Sequence, residues 1–263
     1  MPWLSKFHPF HIVSVSPWPL LSSASGFTLA VGLVEAFSGM GWFLVGWGSL
    51  SSGALAGLWW RDAIRESFLL GEHTMEVTRG LRVGVILFIL SEVMFFFSIF
   101  FAFFFLSLNP DVSLGGQWPP EGLSPVPYMG VPLMNTVLLL SSGISLTWSH
   151  HALIGGMAFR SAFPLLISVL LGGGFLLLQA EEYSECSFSI SDSSFGSLFF
   201  VSTGFHGVHV MIGTVFLSVN LVRVISAHFS PHHHLGFEAG AWYWHFVDVV
   251  WLFLFITIYW WGS

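Results

Sequence analysis

The chain has 263 residues, of which 54% are hydrophobic and only 8% are charged, and its formal net charge at pH 7 is -7. Ordinary soluble domains carry about 25% charged residues, so this composition, with a mean hydropathy of +0.79, excludes a soluble globule. The single cysteine, Cys186, excludes an internal disulfide and a metal centre built from several cysteines. The composition therefore predicts a polytopic membrane protein of the all-α class.

Seven apolar segments follow one another along the chain, and each is long enough to cross a bilayer as a helix. They cover residues 20–37, 42–60, 83–108, 131–152, 162–182, 195–223 and 237–261. The stretch 109–130 holds five prolines and is predicted to be a loop. In the second segment, Gly53 and Gly57 have a spacing that allows close helix approach or simply reflects a glycine-rich span.

We interpret the whole chain, residues 1–263, as a single membrane domain. Its parts are helices one and two at 20–60, a charged interfacial segment at 61–82, and helices three to seven at 83–261.

The cations support seven spans, because every lysine and arginine falls at or beside the segments on one side. With the N-terminus inside, the inner segments are 1–17, 61–82, 153–161 and 224–236, and the outer loops hold no lysine or arginine. The seven cations are Lys6, Arg61, Arg65, Arg79, Arg82, Arg160 and Arg223. The positive-inside rule therefore places the N-terminus on the inner side.

The third span carries one carboxylate, Glu92, about 14 Å from its inner end at 1.5 Å per helical residue. An ionisable group near the middle of a bilayer is costly and normally faces protein or water. Arg82 lies about 15 Å away along the same helix, so any partner of Glu92 must come from elsewhere. Two interpretations stay open: a carboxyl that handles protons or contacts lipid, and a structural carboxyl bonded to a neighbouring helix.

Two pairs of polar residues lie in the last two spans, His206 with His209 and His245 with Asp248. The i, i+3 spacing puts each pair on one helix face, where imidazoles could bind haem or a metal ion. A di-iron carboxylate bundle needs Glu-x-x-His on two helices, which this sequence lacks. Hydrogen bonding between helices is therefore favoured for all four residues, and no metal site is predicted.

Two further histidine groups lie at the predicted inner surface, His150-His151 and His232-His233-His234. Adjacent histidines on a helix point about 100° apart, so neighbours serve one ion poorly. We expect these side chains to face solvent or lipid headgroups.

The segment from Trp59 to Arg82 places aromatic residues beside arginines at headgroup depth. This combination favours the binding of anionic phospholipid. A plain solvated loop is the alternative, since Asp62 and Arg65 can also pair with each other at i, i+3.

Several stretches of the sequence together resemble the subunit III family of cytochrome c oxidase, and they extend over nearly the whole chain. The stretches are HPFH at 8–11, WWRDAIRE at 59–66, LFILSEV at 87–93, PLMNT at 132–136, TWSHH at 147–151, TGFHG at 203–207 and WYWHFVDVVW at 242–251. The last of these is the most specific.

The resemblance implies a seven-helix subunit divided into helices one–two and helices three–seven, with phospholipid in the cleft between them. It implies a non-catalytic core subunit of the respiratory oxidase that packs on subunit I and other oxidase subunits. Haem and copper are then held by partner subunits, and this chain supports proton uptake during electron transfer from cytochrome c to oxygen. The implied location is the mitochondrial inner membrane with the N-terminus in the matrix; a bacterial plasma membrane is the alternative.

The resemblance also implies roles for particular residues. The family's intramembrane glutamate falls on Glu92, and its phospholipid-contacting positions fall on Trp60, Arg65, Glu66, His73 and Arg82. Three positions depart from the family pattern: Glu72 replaces a histidine, Phe101 a tryptophan and Phe105 a histidine. The first change makes the expected headgroup site less cationic.

Two other classes of protein fit the sequence less well. A stand-alone proton-coupled transporter usually has broken helices in repeated halves and several charges along a path, whereas Glu92 is nearly alone here. A haem-binding membrane cytochrome needs facing histidines on two helices, and its visible absorption would distinguish it. No phosphate-binding loop, hydrolase motif or basic groove is present in the sequence.

Overall fold

A computed structural model describes residues 8–112 and 115–262. Within these residues the chain forms seven α-helices and no β-strand, which confirms the predicted all-α class. The helices are α1 (Trp18–Phe37), α2 (Phe43–Phe68), α3 (Met75–Ser107), α4 (Val131–Ile154), α5 (Ala158–Glu185), α6 (Ser194–Ile225) and α7 (Leu235–Leu254). A π-helical segment, Phe255–Trp261, continues α7 directly.

Six of these helices are long and apolar enough to cross a membrane: α1, α3, α4, α5, α6 and α7 with its π-helical end. The helix α2 has 26 residues, but glycine, serine and tryptophan between its leucines lower its hydropathy. It nevertheless contains nearly all of the second predicted span, 42–60. The helices therefore confirm the predicted polytopic membrane fold.

The charged segment 61–82 is mostly helical, because α2 continues beyond its apolar part and α3 begins before its own. Gly71 lies just after α2 with φ of 65°, a left-handed conformation that favours glycine after a helix. Thr74 then starts α3: its hydroxyl accepts from the Val77 N–H at 3.5 Å, and its carbonyl accepts from the Thr78 N–H at 2.9 Å. Local capping thus divides the segment into two helix ends and a short turn.

The chain divides into two compact units, the first ending at Leu81 and the second beginning at Arg82, two turns into α3. The first unit contains α1 and α2, and the second contains α4 to α7 and most of α3.

In the first unit, α1 and α2 approach closely at two glycines. A Cβ atom at Gly32 would lie 2.6 Å from the Val45 nitrogen, and one at Gly48 would lie 2.7 Å from the Leu29 Cα. Only glycine allows backbones to approach this far. Gly53 and Gly57, where the sequence spacing allowed a close approach, have open space beside them within the described residues.

In the second unit, α4 packs on α5 and α7, α5 on α6, and α6 on α7. The α4–α5 contact is lined by serines, whose small side chains let the helices approach and whose hydroxyls bond across the gap. Ser145 and Ser168 share a hydrogen bond of 2.7 Å, and the Ser149 hydroxyl donates to the Ser161 carbonyl at 2.7 Å.

The core of the second unit is centred on α7, where Trp244 and Trp251 are almost completely buried. Each indole N–H finds an acceptor on α4: Trp244 donates to the Ser142 hydroxyl at 2.8 Å, and Trp251 donates to the Thr136 hydroxyl at 2.9 Å. These bonds satisfy the only polar atom of each ring. The large side chains of α7 therefore pack in a defined orientation against α4.

The helix α3 joins this core through a few aromatic side chains, of which Phe96 and Phe103 are buried. Of the most apolar stretch of 18 residues in α3, only 6% is buried within the described chain. Most of its surface is therefore left for lipid or another protein.

Candidate functional site

Glu92 on α3 pairs with His209 on α6 across the second unit. The Oε2 atom of Glu92 lies 2.9 Å from Nε2 of His209, and Nδ1 of His209 lies 2.7 Å from the carbonyl oxygen of Phe205. Because a carbonyl only accepts, Nδ1 carries a proton. The close approach of Nε2 and Oε2 then requires one further proton between them, held either by the carboxyl or by the imidazole.

Aromatic rings enclose this Glu92–His209 pair. The Phe96 ring meets the His209 ring edge-on with centroids 5.0 Å apart, and the Tyr243 ring is nearly parallel to the His209 ring at 6.4 Å. The side chains of Glu92 and His209 are 23% and 12% exposed. The pair is thus one proton-sharing unit in apolar surroundings near the surface of the second unit.

The two histidines of α6 face different partners, although they are three residues apart. His206 is fully buried, and its Nε2–H donates to the Val247 carbonyl at 3.2 Å. Its ring packs against both Phe175 and Trp251, with centroid distances of 5.4 and 5.1 Å. His206 therefore forms its hydrogen bond with α7, whereas His209 forms its side-chain bond with α3 and also packs against Tyr243 of α7.

His245 and Asp248 on α7 are neighbours, but Nδ1 and Oδ2 are 3.8 Å apart, too far for a direct hydrogen bond. The other ring nitrogen of His245 lies 3.5 Å from the Thr147 hydroxyl on α4. Asp248 also faces α4, because a Cβ atom at Gly143 would lie 2.7 Å from its Oδ2 atom.

A second polar group lies where α4 ends and α7 begins. His150 and His234 approach with 3.4 Å between their Nε2 atoms, and His234 Nε2 lies 3.7 Å from Glu238 Oε1. Arg82 pairs with the other oxygen of Glu238 at 2.9 Å. Glu238 is not among the predicted site residues, although a carboxylate one turn after a histidine indicates that the two side chains can meet on one helix face.

The expected phospholipid positions fall in both units. Trp60, Arg65, Glu66 and His73 belong to the first unit, and Arg82 belongs to the second. Trp60 is 64% exposed. The Glu66 Oε2 atom lies 3.6 Å from Nε2 of His11.

Asp62 is the carboxylate that pairs with the arginines around Arg65. The carboxylate of Asp62 accepts from Arg61 at 3.0 Å and from the Trp18 indole at 2.9 Å, and Arg65 lies 3.8 Å away. The hydrogen bond from Arg61, followed by the one from Trp18, lowers the pKa of Asp62 against the opposing effect of desolvation. Asp62 therefore stays ionised beside Arg61 and Arg65.

The three departures from the family pattern lie at accessible positions. Phe101 and Phe105 stack on each other at 6.4 Å and are 64% and 68% exposed. Both therefore lie on the face of α3 that points away from the core of the second unit. Glu72 lies in the turn between α2 and α3, where its N–H donates to the Glu66 carbonyl at 3.2 Å.

The sequence analysis missed a buried carboxyl, Glu182 on α5, which is 3% exposed. The Tyr259 hydroxyl donates to its Oε1 atom at 2.6 Å, and the Gln179 amide donates to the same oxygen at 3.2 Å. Glu182 stands beside exposed Glu181 at a helix end, so its sequence context resembled that of a solvated acidic loop.

The fold and these sites define a class: a helical, polytopic membrane protein whose ionisable groups pair between helices. The sequence profile of the family described as cytochrome c oxidase subunit III matches residues 8–263. The chain belongs to this family. It is therefore a subunit of that oxidase, with other oxidase subunits as its partners.

Relatives of this chain occur in distant animals. The cytochrome c oxidase subunit 3 of Sus scrofa is 52% identical over 256 residues, which are 97% of this chain and 98% of the relative. That of Rattus norvegicus is 53% identical over 256 residues, with the same coverage. That of Heterololigo bleekeri is 51% identical over 97% of this chain and 99% of its own length.

Proposed function

We propose that this chain is a non-catalytic core subunit that packs on oxidase subunit I, stabilises it and supports its proton uptake. The observation that carries the proposal is the Glu92–His209 pair, with 2.9 Å between Oε2 and Nε2. A carboxyl and an imidazole that share one proton can accept or release a proton with little movement of either side chain. The pair lies near the surface of the second unit, where a proton can pass to water or to another subunit packed against it.

The redox chemistry in this proposal belongs to partner subunits, which hold the haem and copper. Two contacts support this division. The Nε2 atom of His206 is engaged by the Val247 carbonyl, and Nε2 of His209 is engaged by Glu92. Neither imidazole therefore offers a free nitrogen on that side for an axial bond to haem iron.

The proposed location is the mitochondrial inner membrane, with the N-terminus in the matrix. Its support is the distribution of lysine and arginine along the sequence, all on one predicted side.

Phospholipid is the proposed ligand of the headgroup-level residues Trp60, Arg65, Glu66, His73 and Arg82. Trp60 and Arg65 are both exposed in the last turns of α2, at 64% and 59%, and exposed tryptophan and arginine at headgroup depth suit an anionic lipid. Native mass spectrometry should detect less bound phospholipid in Arg65→Ala than in the control Arg160→Ala. Equal lipid content in the two variants would contradict this assignment.

The proton-uptake proposal is tested with Glu92→Gln and His209→Gln in the assembled oxidase. Glutamine keeps the volume and most hydrogen bonding of the carboxyl, so we expect normal assembly. Glutamine at either position cannot take up or release the shared proton, so proton uptake should slow or activity should decay faster during turnover. Glu121→Gln, which changes an exposed loop carboxyl, is the control. Unchanged uptake and turnover lifetime in Glu92→Gln would make Glu92 a structural carboxyl and overturn the proposal.

A further inference from the structure

We propose that the His–Glu cluster, made of His150, His234 and Glu238, binds one divalent transition-metal ion of the zinc class. The three residues come from the last two turns of α4, the residue before α7 and the first turn of α7. One ligand atom from each lies within 4.8 Å of the others. Two imidazoles and one carboxylate form a ligand set that zinc uses, with a fourth position left for water.

The distances suit a tetrahedral ion. Zinc–nitrogen bonds of about 2.0–2.1 Å in a tetrahedral site place two ligand nitrogens about 3.3 Å apart. The Nε2 atoms of His150 and His234 are 3.4 Å apart, and Oε1 of Glu238 is 3.7 Å from Nε2 of His234. The carboxylate of Glu238 lies within 4.8 Å of the ligand atoms of both histidines, so it is the ligand that moves closer when an ion binds.

The surrounding hydrogen bonds prepare His234 for a metal. Its Nδ1 atom lies 3.0 Å from the carbonyl oxygen of Ser230, so Nδ1 carries the proton and Nε2 presents its lone pair. Ser230 is held in turn by paired backbone hydrogen bonds with His233, at 3.2 and 3.3 Å. A metal-ligating histidine usually has such a carbonyl partner on its second nitrogen.

The other two ligands are also oriented by contacts outside the His–Glu cluster. Arg82 binds Oε2 of Glu238 through Nη2 at 2.9 Å and Nε at 3.0 Å, which leaves Oε1 for the cluster. The His150 ring stacks on Phe237 with centroids 5.4 Å apart. These contacts reduce the conformational freedom that would be lost when an ion binds.

Only one histidine of each sequence run takes part. His234 is buried, whereas His232 and His233 are exposed, and His150 is half-buried, whereas His151 is exposed. The exposed neighbours therefore provide matched controls for the ligands. Without an ion, the 3.4 Å approach of the two rings would be a hydrogen bond from His150 Nε2–H to His234 Nε2, and the experiment must separate these two cases.

The probes are Zn²⁺ and Co²⁺ alone, added to the full chain in detergent after chelator treatment and without a polyhistidine tag. Titration calorimetry should show one Zn²⁺ per chain, and bound Co²⁺ should give the intense visible absorption of tetrahedral coordination. His150→Gln and His234→Gln should each weaken binding about tenfold or more. His151→Gln and His232→Gln should bind as the unchanged chain does.

Several results would overturn the proposal: no stoichiometric Zn²⁺ binding, a weak octahedral Co²⁺ spectrum, or equal weakening in the ligand and control variants. If a ligand variant fails to fold, as judged by circular dichroism, the unchanged chain decides the question. Zinc X-ray absorption of that chain should then report two imidazole ligands and light oxygen ligands at tetrahedral distances. Absorption typical of six oxygen ligands would refute the site.

Discussion

At the scale of single residues, three carboxyls that are buried or partly buried pair with donors that come from distant parts of the chain. Glu92 meets His209, Glu238 meets Arg82, and Glu182 meets Tyr259. An unpaired carboxyl away from water would be strongly destabilising. The partner residues therefore contribute to the stability of the fold together with the carboxyls.

We expect Tyr259→Phe to destabilise the chain by about 1–3 kcal/mol, because Glu182 would lose a donor at a buried site. The Tyr259 hydroxyl lies 2.6 Å from Oε1 of Glu182, and both side chains are buried. The measurement is the midpoint of unfolding in mixed detergent with increasing dodecyl sulfate.

The control is Glu181→Gln, which changes the exposed carboxyl next to Glu182 and should shift stability by no more than about 0.5 kcal/mol. A Tyr259→Phe chain as stable as the unchanged one would show that the hydroxyl contributes nothing.

At the scale of helices, the pairs of helices that approach most closely meet through small residues, whereas helices that lie farther apart meet through large aromatic residues. The α1–α2 contact depends on glycines, and the α4–α5 contact on serines. In contrast, α3 reaches the core of the second unit through aromatic side chains such as Phe96. Its helix axis therefore stays farther from its neighbours.

We expect Gly48→Ala to destabilise the first unit by about 1–3 kcal/mol through overpacking. The added Cβ atom would lie 2.7 Å from backbone atoms of Leu29, which can move away only if the helices separate. Thermal unfolding followed by helix circular dichroism measures the effect.

Gly53→Ala is the matched control, since a Cβ atom at Gly53 meets no described atom within 4 Å. It should be neutral or slightly stabilising, because alanine favours helix over glycine. Equal destabilisation by both substitutions would contradict the close-approach explanation.

At the scale of the whole molecule, the seven helices and the cation distribution predict that the two termini lie on opposite sides of the membrane. Single cysteines are introduced at Leu70, Gln117 and Ile190 in a Cys186→Ser chain, because Cys186 would otherwise react. A membrane-impermeant maleimide applied to mitoplasts should label positions 117 and 190. Position 70 should react only after permeabilisation.

Labelling of positions 70 and 190 from the same side would contradict seven spans with the N-terminus inside. If α2, the described helix that falls short of the hydropathy of the other six, did not cross, the labelling would be reversed: position 70 would react in mitoplasts, and positions 117 and 190 only after permeabilisation.

The boundaries of the apolar segments were predictable, but the helix ends around the charged segment were not. The fourth predicted span, 131–152, ends two residues before α4 does. In contrast, α3 begins at Met75, eight residues before the third predicted span. Hydropathy marks where a helix is apolar, whereas Thr74 and Gly71 decide where the helix itself starts and the preceding helix stops.

The sequence by itself determined the class, the number of helices and the family, because hydropathy, cation placement and motifs are local properties of the chain. Only the tertiary structure decided which polar groups meet. Glu92 and His209 are 117 residues apart, and His150 and His234 are 84 apart. Helical periodicity assigns a residue to a face of its own helix, but the packing of glycines, serines and aromatic rings selects the helix that this face contacts.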